Sequence, residues 1–257
     1  MHRSFLSMNH ILSLIAACLL LQSSCCHALA TNAKQPKTYN YFAFGSNMAS
    51  STMINLRNIT PLASSAAILP SHALRFNIPG MPGVEPSSAA VEPVDVKEQI
   101  AEDEVVHGVL YKLSESDFAT ICQTEGVPLA YSLHRCRVVP FVGDGNTAGQ
   151  DAMDRALSME TSDSTTLTND NLKTKEQSTS KKWGVPAFTL RAARKEWRQG
   201  KDTSPSQSYL NVLIRGAKEF ALDESYLRKL ENTSVGKTWI GNGLAEEMLL
   251  AAERRNR

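Results

Sequence analysis

An α+β domain is predicted by three features of the 257-residue sequence. Strand-like runs come first, then one helix, more strands and a closing set of helices, with no βαβ alternation. Hydrophobic residues make up 42% of the chain, enough to bury a substantial core. The helical stretch after Ser206 carries Tyr209, Leu213 and Ala217 on one stripe with Leu210, Ile214 and Phe220 beside it, the spacing of a face packed on a core.

Residues 39–44, rich in aromatics, predict a strand ending at Gly45, and Ser50 or Ser51 caps a short helix through Asn58, closed by Pro61. Strand-like runs follow at 66–69 and 72–78. Residues 79–93 read as a Pro/Gly-rich loop that passes into an acidic, solvated stretch ending near Glu104. Residues 105–113 form a β-rich run. Ser114 with Asp117 makes a capping-box pattern that opens a helix through Phe118, Ile121 and Cys122, and Gly126 stops it. Strands at 131–142 and 185–190 flank residues 143–182, a segment crowded with polar residues that cannot offset its own ordering entropy and reads as a disordered insertion within a hairpin. Asp223 caps a helix holding Tyr226, Leu227 and Leu230, and 241–257 contains an amphipathic terminal helix.

The first thirty residues have signal-peptide grammar: Arg3, an apolar run at 11–21 and an Ala28-Leu29-Ala30 ending. The run is too short to span a bilayer, which takes about 20 residues. The expected layout is therefore a signal peptide at 1–30, a short leader at 31–38, the domain at 39–240 and the terminal helix. The expected address is the secretory pathway or the extracellular space, or a plastid reached through that route, with no stable membrane association after cleavage. Cleavage removes Cys18, Cys25 and Cys26, leaving Cys122 and Cys136 either as buried thiols or as one pair. The sequons at Asn58 and Asn232 become glycosylation candidates in a lumen. Removing Arg3 from 27 Lys and Arg leaves 26 against 26 Asp and Glu, a balance that argues against a nucleic-acid partner.

The chemistry concentrates at two places. A strand ending in Phe44-Gly45-Ser46-Asn47 leaves backbone N–H groups at a turn of small residues, which is either an anion nest or an ordinary tight turn. Glu125 sits at a predicted helix C-terminus, where the macrodipole disfavours a negative charge. It is either a proton-transfer group or a solvent-facing acid beside a helix-stop glycine. His72, His107 and His134 lack ligand spacing, Cys122 reads as a buried thiol, and no G-x-S-x-G elbow surrounds Ser46.

Residues Tyr41-Phe42-Ala43-Phe44-Gly45-Ser46-Asn47-Met48 resemble the Y-F-A-Y-G-S-N-L signature of the γ-glutamylcyclotransferase family, with Phe44 where Tyr is usual. The resemblance continues through Gly108-Val109-Leu110-Tyr111, through Glu125-Gly126-Val127 with Tyr131, and through Pro205-Ser206-Gln207-Ser208-Tyr209 with Gly216-Ala217-Lys218-Glu219. It implies a small mixed β-barrel with surrounding helices and a small-molecule γ-glutamyl substrate, with no metal or organic cofactor. It implies release of an amino acid and 5-oxoproline, with Glu125 as catalytic acid/base. The substrate-binding residues carried over are Tyr41, Phe42, Ala43, Phe44, Gly45, Ser46, Asn47 and Tyr209. A γ-glutamylamine cyclotransferase and a non-catalytic metabolite-binding module of the same fold are the alternatives, and self-association into a homodimer is left open.

Overall fold

The computed structural model describes residues 36–94, 105–152, 154–155 and 184–238, with a few further positions between 248 and 255. The expected signal peptide, most of the leader, the acidic stretch at 95–104 and most of the terminal helix lie outside the described residues. The elements all belong to one unit, Thr38–Arg257.

Five strands close into a barrel in the order β1 (Thr38–Ala43), β5 (Val106–Ser114), β2 (Ala63–Leu69), β6 (Tyr131–Pro140), β7 (Val185–Ala192). Four neighbouring pairs are antiparallel, and β7 returns to β1 through a parallel contact at Tyr41 and Phe188. The barrel is therefore mixed, as the family resemblance implied. Gly108 on β5 is required by closeness: a Cβ there would lie 2.1 Å from the Ala43 carbonyl oxygen and 2.8 Å from the Phe42 ring. The core fills with Tyr41, Phe42, Val109, Leu113, Ile121 and Leu213, each under 3% exposed.

Two readings of the sequence change here. The segment at 79–93 is not a loop but the end of β3 (His72–Met81) and the whole of β4 (Glu85–Pro93), a two-stranded sheet of its own. Pro79, Pro86 and Pro93 suggested a break, yet proline is tolerated where a hairpin has unpaired edges, and this one carries a register shift between Arg75 and Ile78. Ala89, Ala90 and Val91 on β4 are buried. Within the polar segment at 143–182, residues 148–152 are helical, and Ala152 is buried with Ile68 and Val105. The remainder from 156 lies outside the described residues. The strands on either side, β6 and β7, pair along eight positions from Tyr131 with Ala192 to Val138 with Val185.

The helices begin where their caps dictate. Ser114 accepts from the Asp117 N–H at 3.1 Å to start α1 (Glu115–Thr124). After the short α2 (Lys195–Gln199), Ser206 accepts from the Tyr209 N–H at 3.0 Å to start α3 (Gln207–Glu219). Asp223 does the same for α4 (Glu224–Glu231) through the Ser225 N–H at 2.9 Å. Cys122 and Cys136 are free thiols, and Asn58 and Asn232 are exposed.

His107 on β5 lies buried in the barrel wall, stacked on Tyr226 at 4.8 Å, with its Nδ1 lacking a partner. Burial pushes its pKa down to about 4, against a smaller upward pull from Asp223. Since the unfolded chain takes up this proton near pH 6.5 and the folded chain does so only near 4, acidification through that window favours unfolding. Stability is complete above the window and falls by roughly 3 kcal/mol across it from this group. Urea unfolding of His107→Phe between pH 4 and 7 is expected to show a pH slope shallower than that of the parent by about one proton.

Candidate active site

The site is built where β1 runs out. Phe44 and Gly45 leave the strand and Ser46–Met48 makes a single 3₁₀ turn, with the Met48 N–H donating to the Gly45 carbonyl at 3.0 Å. The N–H groups of Gly45 and Ser46 meet no backbone acceptor among the described residues. Gly45 has φ of −110°, so its backbone does not demand glycine. Its neighbourhood is tight, since a Cβ would lie 3.0 Å from the Tyr209 hydroxyl.

The helix expected after Ser50 is instead a π-helical turn, Thr52–Leu56, with no side-chain cap from Ser51. A dipole from a full helix is therefore absent at this turn, and what it offers an anion is local N–H groups. The wider turn has its own consequence. The Arg57 N–H reaches back to the Thr52 carbonyl at 3.1 Å, and its side chain returns to the residues that began the segment.

Glu125 comes from the other side, at the C-cap of α1. The N–H groups of Val127 and Gly126 bond the carbonyls of Cys122 and Gln123 at 2.9 and 3.1 Å, and Gly126 takes φ of +67°. This is a Schellman ending, which needs a left-handed residue directly after Glu125 and explains the Glu-Gly pair. The carboxylate is then gathered in. The Asn47 side-chain N–H₂ donates to Glu125 Oε1 and to the Tyr41 hydroxyl, both at 2.9 Å. Arg57 Nε donates to Asn47 Oδ1 at 2.7 Å, and Arg57 Nη2 forms an ion pair with the same Oε1 of Glu125.

A cavity of about 230 Å³, counting its open mouth, is lined by Tyr41, Phe44, Gly45, Ser46, Asn47, Glu125 and Tyr209. Seven of the nine residues expected at the site thus meet. Phe42 and Ala43 do not: they lie buried in the barrel core, Phe42 over Gly108. The sequence reading missed Ala89, Leu190 and Tyr131 as lining residues, and Arg57 behind them. Ala89 on β4 uses only its backbone, donating to the Tyr209 hydroxyl at 3.2 Å and accepting from the Tyr131 hydroxyl at 2.8 Å. Burial, with Glu125 adding to it, raises the pKa of Tyr41, Tyr131 and Tyr209, so these phenols serve as neutral hydrogen-bonding groups. Cys122 does not line the cavity and burial raises its pKa, while His134 turns to His72 at 3.1 Å.

Residues 105–230, which hold Glu125, Tyr131 and Tyr209, match the AIG2-like family model. Through these residues, just under half of its length, the chain resembles that family. It is 28% identical over 183 residues to a γ-glutamyl cyclotransferase, gliK, of Claviceps purpurea, a match covering 71% of this chain and 64% of that protein. It is 34% identical over 115 residues to the γ-glutamyl cyclotransferase verK of Clonostachys rogersoniana, covering 41% of this chain and again 64% of the relative. The chain thus spans less than two thirds of either relative's length. Among solved structures, one of a γ-glutamyl cyclotransferase superimposes with a TM-score of 0.53 at 17% identity, over 85% of this chain and 99% of that one. An uncharacterized human protein gives 0.54 at 18% identity, over 84% and 98%. Both share the fold of this chain.

The turn is held in place by α3. A Cβ on Gly216 would lie 2.6 Å from both the Ala49 nitrogen and the Met48 Cβ. In an exposed helix interior Gly→Ala stabilises by about 1 kcal/mol, but here the backbone has no room to give. Gly216→Ala is expected to lower stability by about 1–3 kcal/mol in urea unfolding, the range for overpacking.

Proposed function

We propose that this chain is a γ-glutamylcyclotransferase, which closes the γ-glutamyl group of a γ-glutamyl amino acid into 5-oxoproline and releases the amino acid. The observation that carries the reading is the meeting of Glu125 with the Gly45–Asn47 turn in one cavity, joined by the Asn47 carboxamide. A zwitterionic glutamyl head needs N–H donors for its carboxylate and a base for its ammonium, and this pocket offers both. The names of the curated relatives support the same chemistry.

The steps follow from that pairing. The substrate's α-carboxylate sits at the N–H groups of Gly45 and Ser46, and its α-ammonium gives a proton to Glu125. The freed amine attacks the γ-carbonyl carbon of the same molecule, so a new C–N bond forms as the carbonyl π pair moves to oxygen. Glu125 returns its proton to the leaving nitrogen as the old C–N bond breaks and the carbonyl re-forms. The second proton, shed by the ring nitrogen as it becomes an amide nitrogen, passes to the released amine, which departs as an ammonium. Because nucleophile and carbonyl belong to one molecule, holding the bent conformer supplies much of the rate. Tyr41, buried, and Tyr209, partly buried, are neutral and border that conformer without competing for its protons. Phe44 lines the cavity without a hydroxyl to offer.

The test is release of 5-oxoproline from γ-glutamyl-alanine, with a panel of γ-glutamyl dipeptides and γ-glutamylamines beside it. The parent protein is expected to turn over dipeptides in preference to amines. Glu125→Gln is expected to lower kcat on the order of 10²–10⁴-fold, the range for losing a general acid/base. A parent silent on the whole panel contradicts the enzyme reading in favour of a binding module, and a fully active Glu125→Gln contradicts the mechanism.

A further inference from the structure

Glu125 presents two oxygens that the fold treats differently. Oε1 accepts from both Asn47 Nδ2, at 2.9 Å, and Arg57 Nη2. A carboxylate oxygen has two lone pairs in its plane, so Oε1 is fully engaged. Oε2 accepts no hydrogen bond among the described residues, and it is not one of the buried polar atoms without a partner. The group as a whole lines the cavity. One oxygen is therefore the anchor and the other is the working atom.

Arg57 closes this arrangement. Its Nε holds Asn47 Oδ1 at 2.7 Å while its Nη2 holds Glu125, so a single planar guanidinium sets both the carboxamide orientation and the carboxylate. With its oxygen taken up by Arg57, the Asn47 amide must present its N–H₂ to Glu125 and Tyr41. Arg57 itself does not line the cavity, and its side chain is 12% exposed. Of the groups that face Glu125, Asn47 is uncharged, Tyr41, Tyr131 and Tyr209 are phenols kept neutral by burial, and Arg57 brings the charge.

We propose that Arg57 is the positioning residue of the cyclisation, fixing Glu125 Oε1 so that Oε2 is the atom that takes and returns the proton. The inference rests on the function proposed above. Its fork stops the carboxylate from rotating between acceptance and return, two transfers that the same atom must make in different directions. A lysine keeps the charge but cannot span Asn47 and Glu125 with the same rigid geometry. Charge and geometry can therefore be separated by substitution.

The experiment is the split between kcat and KM for 5-oxoproline release by the parent, Arg57→Lys and Arg57→Met. In Arg57→Met, kcat is expected to fall on the order of 10²-fold with KM little changed, because the turn still binds the substrate while the carboxylate is no longer held. In Arg57→Lys, kcat is expected to fall about tenfold, again with KM little changed. A structural role alone would raise KM along with any fall in kcat, and that result overturns the proposal. Should Arg57→Met fail to fold, Arg57→Lys decides, and an unchanged kcat there overturns the proposal. A parent inactive on every γ-glutamyl compound overturns this inference together with the function. An active parent with an unchanged kcat in Arg57→Met overturns this inference alone.

Discussion

One carboxamide nitrogen joins the two halves of the site. Asn47 Nδ2 gives one hydrogen to the Tyr41 hydroxyl and the other to Glu125 Oε1, so the end of β1 and the end of α1 meet through a single side chain. Neither half has the chemistry alone. The turn has N–H groups without a base, and the helix end has a carboxylate without an anion nest. Hydrogen bonds to a charged partner are stronger than neutral ones, so Glu125 on the amide nitrogen and Arg57 on the amide oxygen together keep Asn47 turned inward.

The barrel makes that bond geometrically possible. Strand β1 pairs with β5 from Thr38 with Ser114 to Ala43 with Val109, and α1 begins directly after β5. The chain therefore runs along β5 away from the turn and comes back along α1, returning Glu125 to the end where Gly45 lies. Strand β4 then closes the opposite wall with the two backbone groups of Ala89, which hold Tyr131 and Tyr209. Helix α3 seats the turn from behind, with Gly216 against Met48 and Ala49, while the Tyr111 hydroxyl donates to the Met48 carbonyl at 3.1 Å. A pocket formed from four separate elements is only as ordered as their packing, which accounts for glycine at Gly45, Gly108 and Gly216, where no side chain fits without displacement.

Local features were legible in the sequence because their causes are local. The caps at Ser114, Ser206 and Asp223 and the Schellman ending at Gly126 each need only residues a few positions apart. Seven of the nine expected site residues line the cavity, while Phe42 and Ala43 are fully buried and do not. What was not legible depends on distance or on backbone. Arg57 returns to Asn47 through a π-helical turn that no side-chain pattern announced. Ala89 acts through its peptide groups, which any residue but proline could offer, and it sits on a strand that two prolines, Pro86 and Pro93, disguised. Closure of the barrel through one parallel contact, Tyr41 with Phe188, joins residues far apart in the chain and came to the reading only through family resemblance.

The central claim is that the turn holds a glutamyl carboxylate while Glu125 faces the reacting nitrogen. A crystal structure with 5-oxoproline bound tests it most directly. The account predicts the product carboxylate within hydrogen-bond distance of the Gly45 and Ser46 N–H groups and the ring nitrogen beside Glu125 Oε2. A product bound with its carboxylate turned to Arg57, or outside this cavity, would contradict it.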